Sequence, residues 1–366
     1  MKNKQTRNGK IEFYRFSFCI VILLFHIGEH LWYKNNISFN NSLDISFFAH
    51  GMIAVEFFFL VSGYFLAKEI NKKTTTKKIS SNTLSKEWFG YLKKKVLSIF
   101  PQHTVAFVIA IICASIFRKY GIAEIIRCLF CSIPQFFFLQ MTGIRINDSY
   151  PNNVEWYISA MLVAIALIYP IYRKHKDGFQ KIAAPIIAIL GIGYLTSSFG
   201  KVSATIIWDK FIMLGTLRAI AIMCLGICSY ELSQYIQKKK LTKKEQTVLY
   251  TIEIFSIIGT LVYIITSLSR NTEAIIVALI FAFTTIAFSN KGLLTNMFNN
   301  KFVYFLGKIS LPIYLSHLPA INLTKGLFMN ESIVIKVILV LVFTSIFTTI
   351  TYIIGNLIGK RLNKTT

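Results

Sequence analysis

Apolar residues in this chain neither alternate nor form the narrow stripe of a soluble amphipathic helix; they run on for about 20 positions at a time. Ten such runs lie near 11–31, 46–67, 96–117, 154–173, 181–199, 211–231, 247–267, 273–290, 302–323 and 333–359. At 1.5 Å of rise per residue, about 20 residues cross a hydrocarbon core about 30 Å thick. The pattern predicts an all-α fold, a polytopic transmembrane helix bundle of about ten spans. A further apolar piece at 122–140 holds Arg127 and Pro134 between Gly121 and Gly143, which suits an interfacial or re-entrant helix rather than a full crossing. Residues 68–95, rich in Lys, Ser and Thr, read as a basic cytoplasmic loop. No stretch is large and polar enough for an appended soluble domain, so 1–366 is expected to be one integral membrane domain.

Composition agrees with the bilayer as solvent, with 54% of residues hydrophobic and 15% charged. The net charge of +24 changes the picture only through its placement. With the N-terminus on the cytoplasmic side, 27 of the 40 Lys and Arg residues fall on cytoplasmic segments and nine on outside loops. That asymmetry predicts a multi-pass protein of the inner or plasma membrane with both termini cytoplasmic, touching lipid headgroups. An eleventh span at 122–140 would put the basic 173–181 and 238–244 segments outside. No basic stripe interleaved with stacking aromatics is present, so nucleic acid is not an expected partner. Cys19, Cys113, Cys224 and Cys228 sit in spans as small hydrophobes. Cys128 and Cys131 form a lone CxxC without a second pair or ligand histidines, so no metal site is expected. The first apolar run lacks a small-residue cleavage site and does not read as a cleaved signal.

Ionisable side chains inside spans carry the candidate chemistry, because burying them in lipid is costly. In RFSFCIVILLFH, Arg15 and His26 are 11 residues apart, three helical turns plus 20°, so they share one helix face about 16 Å apart along the axis. The guanidinium can hold a phosphate and the imidazole can handle a proton. The plainer alternatives are an arginine snorkelling to the interface and a packing histidine. Glu56, in VEFFFLVSGYFLAKE, is expected at the depth of His26, where it would fix the imidazole tautomer; it could instead pair structurally with Arg218 or Lys308. His317 is expected at the same depth, and Trp156 and Tyr157 at the outer interface.

Four stretches carry a family resemblance: Arg15 with His26, EFFFLVSGYFL at 56–66, WYISAMLVAIALIYP at 156–170, and FLGKISLPIYLSHLP at 305–319. In order and spacing they resemble acyltransferase family 3, polytopic integral membrane O-acyltransferases, over essentially the whole chain. The resemblance implies an acyltransferase without a permanently bound cofactor, which takes acetyl-CoA as donor and acetylates a hydroxyl of a cell-surface glycan, lipid-linked saccharide or related acceptor. It places the family's arginine and histidine pair at Arg15 and His26. Two departures stand out. Where many relatives carry a glutamate shortly after the tryptophan, Trp156 is followed by Tyr157, Ile158, Ser159 and Ala160. The extracytoplasmic domain that some relatives append is not seen.

The combined expectation is that Arg15 and Lys308 hold the acyl-CoA while His26, supported by Glu56, deprotonates the acceptor. Trp156, Tyr157, Arg218, Tyr314 and His317 then line the substrate site, with Arg218 or Lys308 facing the oxyanion. The alternatives are a transporter or flippase using the same buried His, Glu and Arg residues, or an assembly subunit in which the charges are merely paired. The missing internal repeat counts against transport.

Overall fold

The computed structural model describes residues 7–32, 48–73, 79–144, 150–205, 207–266 and 269–365. Residues 46–47, 74–78 and 267, parts of two expected spans and of the expected 68–95 loop, lie outside that set. In chain order the helices are α1 Gly9–Ile27, α2 Ala54–Asn71, α3 Ser81–Arg118, α4 Ile122–Cys131, α5 Ile133–Phe136, α6 Trp156–Lys174, α7 Lys176–Gly178, α8 Ala184–Phe199, α9 Leu214–Lys238, α10 Lys243–Ile265, α11 Glu273–Ser289, α12 Lys301–Leu327 and α13 Ile333–Thr365. A two-residue hairpin, Trp208–Asp209 against Ile212–Met213, precedes α9.

The all-α bundle agrees with the apolar pattern. Among the described residues, nine helices are long and apolar enough to cross a membrane. The exception among the ten expected spans is α12. It is long enough at 27 residues, but its apolar run is broken by Lys308, Ser310, Pro312, Ser316, His317 and Pro319. It packs against α1, α3 and α13, and its buried polar side chains face protein rather than lipid. By contrast α10 and α13 turn Phe255, Ile258, Ile338 and Ile353 outward, as helices in contact with acyl chains do. Helix α4, with only 10 residues, is too short to cross and leaves Ile122, Ile126, Leu129 and Phe130 exposed along it, in keeping with an interfacial helix. Residues 81–95, read from sequence as loop, are helical: they extend α3 to 38 residues, because Ser80 caps its start by accepting a hydrogen bond from Thr83 N–H.

Two features position the interior. The backbones of α2 and α9 touch, since a Cβ at Gly63 would stand 2.0 Å from Met223 O and one at Gly226 would stand 2.1 Å from Leu60 O. Without a hydrophobic driving force between helices in lipid, such close approach supplies the packing. The start of α6 is fixed by a buried polar network. Glu155 faces His103 Nδ1 at 3.2 Å and accepts from Gln135 Nε2 at 2.7 Å and Asn152 Nδ2 at 3.1 Å. Asn152 also donates to Leu315 O of α12 at 2.9 Å. The carboxylate beside Trp156 thus precedes it and serves to hold it.

Candidate functional site

Helix α1 presents Arg15 and His26 to two adjoining interior cavities. Asn8 caps the helix by accepting from Ile11 N–H at 3.1 Å, and Arg15 Nη1 donates to Glu12 Oε2 at 3.0 Å, one turn back. Around Arg15 lies a cavity of about 390 Å³ that also touches Arg7, Lys95, Ser62, Tyr157 and Tyr314. A neighbouring cavity of about 370 Å³ shares Arg7, Arg15 and Leu311 and adds Lys308, Gln102 and Asn356. Arg15 and Lys308 are therefore brought together, and Arg7 and Lys95 join them. The four cations that line these two neighbouring cavities make an electropositive funnel, with Glu12 paired to Arg15 at 3.0 Å and 3.8 Å from Arg7.

The larger cavity shares part of its wall with a second space beside His26. Ile22, Val55 and Tyr314 line both the larger cavity and this smaller one of about 40 Å³, which is completed by Phe25, His26, Met52, Val154 and Trp156. Tyr314 stands at the junction with its hydroxyl donating to Val154 O. Ser62 donates to Phe58 O at 2.8 Å and lies 3.4 Å from the Tyr157 hydroxyl.

His26 Nδ1 lies 3.0 Å from Glu29 Oε2. The next residues, Gly28–Trp32, wind as a π turn, a local widening often found at functional positions. The His317 ring stacks on His26 with centroids 5.2 Å apart. His317 Nδ1 is 3.4 Å from Ile313 O, and its buried Nε2 has no hydrogen-bond partner among the described residues.

The carboxylate that meets His26 is Glu29 and not Glu56, which corrects the sequence expectation. Glu56 is fully buried and accepts from Arg218 Nε at 2.5 Å. Arg218 Nη2 donates to Met52 O at 3.1 Å, and its guanidinium sits 5.3 Å from the Trp156 ring centroid. Arg218 thus lies behind two walls of the small cavity, Met52 and Trp156, without lining it. Neither Arg218 nor Lys308 lines the space at His26, so the expected oxyanion role has no support in their placement. Tyr157 is likewise displaced from the expected outer interface: it faces the Arg15 cavity, and Trp156 is buried.

Sequence reasoning missed Glu29, Arg7 and Lys95. Glu29 had a signal, since i and i+3 share a helix face. Lys95 was hidden in a basic run read as loop, and Arg7 in the polar segment before α1.

The profile of a family described as "Acyltransferase domain" matches residues 8–356. No curated protein and no solved structure matches the chain.

Proposed function

This chain belongs to that acyltransferase family, and from this membership we propose an O-acetyltransferase that takes acetyl-CoA from the cytoplasm and acetylates a hydroxyl of a cell-surface glycan or lipid-linked saccharide. That it is a multi-pass membrane acyltransferase, with an acyl donor, an acceptor and the bilayer as partners, follows from the family and the helices. The observation that carries the finer reading is the set of adjoining cavities, cationic at Arg7, Arg15, Lys95 and Lys308 and, across a wall that includes Tyr314, small and lined by an imidazole backed by a carboxylate.

Coenzyme A has phosphates at one end and a thioester at the other, with a slender arm between. The cationic funnel suits the phosphates, and the apolar lining of Ile22, Val55 and Phe58 suits the arm. With its proton on Nδ1, His26 donates a hydrogen bond to Glu29, which leaves the Nε2 lone pair to take the acceptor hydroxyl's proton. The oxygen then attacks the thioester carbonyl. The tetrahedral intermediate collapses with loss of the CoA sulfur, which receives the proton held on His26. Arg218, through Met52 and Trp156, keeps the small cavity's walls in place.

Acetyl esters on surface glycan, compared between cells that express the chain and cells that lack it, test this reading; ester appears only with the chain, and an equal ester content with membrane expression verified refutes it. Arg15→Ala is expected to raise KM for acetyl-CoA by about 10- to 100-fold with a much smaller change in kcat, the loss of a charge-assisted hydrogen bond of about 1.5–3 kcal/mol. Kinetics with purified protein in nanodiscs check it. A fall in kcat at constant KM would remove Arg15 from donor binding.

A further inference from the structure

We propose that His26, Glu29 and His30 form a binding site for a divalent transition-metal ion, zinc foremost, and that its occupancy switches acyl transfer off. The proposal rests on the reading of His26 as proton acceptor. Each of the three residues offers one ligand atom, and these atoms all lie within 4.8 Å of one another. His26 Nδ1 is 3.0 Å and His30 Nε2 is 3.9 Å from the same oxygen, Glu29 Oε2. Zinc bonds of about 2.0–2.2 Å to nitrogen and oxygen put tetrahedral ligand atoms about 3.4 Å apart, a value that lies between these two distances.

The donor set selects the metal. Two imidazoles and one carboxylate suit zinc, copper or nickel, whereas magnesium and calcium call for oxygen ligands. Spacing at i, i+3 and i+4 puts the three residues on one side of the chain as α1 passes into the π turn. The side chains are 17% (His26), 51% (Glu29) and 28% (His30) exposed, so the trio is open at the protein surface to an ion and a fourth ligand such as water. A second observation points the same way. His317, stacked on His26, directs Nδ1 at Ile313 O and retains a buried Nε2 without a partner among the described residues, an additional nitrogen donor beside the trio.

The switch follows from proton placement. In the metal-free site His26 holds its proton on Nδ1 toward Glu29 and has its lone pair on Nε2. An ion bound at Nδ1 needs the lone pair there, so it selects the tautomer with the proton on Nε2, which leaves no lone pair to remove the acceptor's proton. Glu29 becomes a ligand at the same time. Metal binding and transfer therefore exclude each other.

The test uses full-length protein in nanodiscs, stripped by a chelator and dialysed against zinc, with bound metal counted directly and acetyl transfer measured on the same samples. One zinc per chain is expected, with transfer falling as occupancy rises and returning on chelation, while magnesium neither binds nor inhibits. His30→Ala is expected to keep metal-free transfer and to weaken zinc binding by more than about tenfold, with the inhibition curve shifted by the same factor. No retained zinc, unchanged zinc binding in His30→Ala, or transfer that rises with zinc would overturn the proposal. Zinc held through His30 in a chain that transfers no acetyl group would overturn the functional reading and leave the site standing.

Discussion

His26→Ala yields a folded membrane protein whose acetyl transfer is about 10²- to 10⁴-fold slower than that of the wild type, the range expected when a positioned general base is lost. The fold survives because the side chain's partners are few: a carboxylate at 3.0 Å and ring contacts with Phe25, His30 and His317. Glu29→Gln is expected to lose less, since an amide oxygen still accepts from Nδ1 but no longer stabilises the imidazolium by charge. Transfer rates of purified variants at saturating acetyl-CoA, with elution profiles to show intact protein, measure this order. His26→Ala activity within about twofold of wild type would remove His26 from the chemistry. The comparison with Arg15→Ala matters, because the donor funnel and the proton acceptor lie in different, adjoining cavities and should separate into KM and kcat effects.

Glu56→Ala is expected to destabilise the bundle by about 3–5 kcal/mol, because it strands a buried guanidinium. Arg218 then keeps only Met52 O and the face of Trp156, with Nη1 already lacking a partner among the described residues. Thermal unfolding in detergent should show a large drop in Tm for Glu56→Ala and for Arg218→Ala. A double replacement by residues of similar volume, Glu56→Leu with Arg218→Met, should recover much of it, since no unpaired charge remains. If Glu56→Ala unfolds at the wild-type temperature yet abolishes transfer, the carboxylate acts in the chemistry after all. The pair also explains a site effect: loosening Met52 and Trp156 should slow transfer in any variant that stays folded.

Helices were legible from sequence because their signal is local. A run of about 20 apolar residues reads as a span whatever its neighbours do, and nine of the ten expected spans are long and apolar enough to cross. Helix α12 was found by its length, although only packing reveals why it tolerates Lys308, Ser310 and His317 along its course. The extension of α3 through 81–95 was not legible, because Lys, Ser and Thr are common to exposed helix and to loop alike.

Arg15 and His26 were legible for a similar reason: their shared face follows from 3.6 residues per turn. The sequence left Glu56 between His26 and a structural pairing with Arg218 or Lys308, and the structure takes the pairing with Arg218; sequence could not choose, because depth in the bilayer says which residues stand level and nothing of how the helices are turned toward one another. Glu56 and His26 lie on helices α2 and α1, and contact between α2 and α9, made through Gly63 and Gly226, hands Glu56 to Arg218 instead. The sequence by itself determined the solvent, the helices, the family and the first-helix pair, all of which depend on composition and spacing along one chain segment. Tertiary structure alone decided which carboxylate backs His26, which cations gather at Arg15 and which tyrosine stands between them, because such choices depend on helix rotation and neighbour identity that local periodicity does not encode.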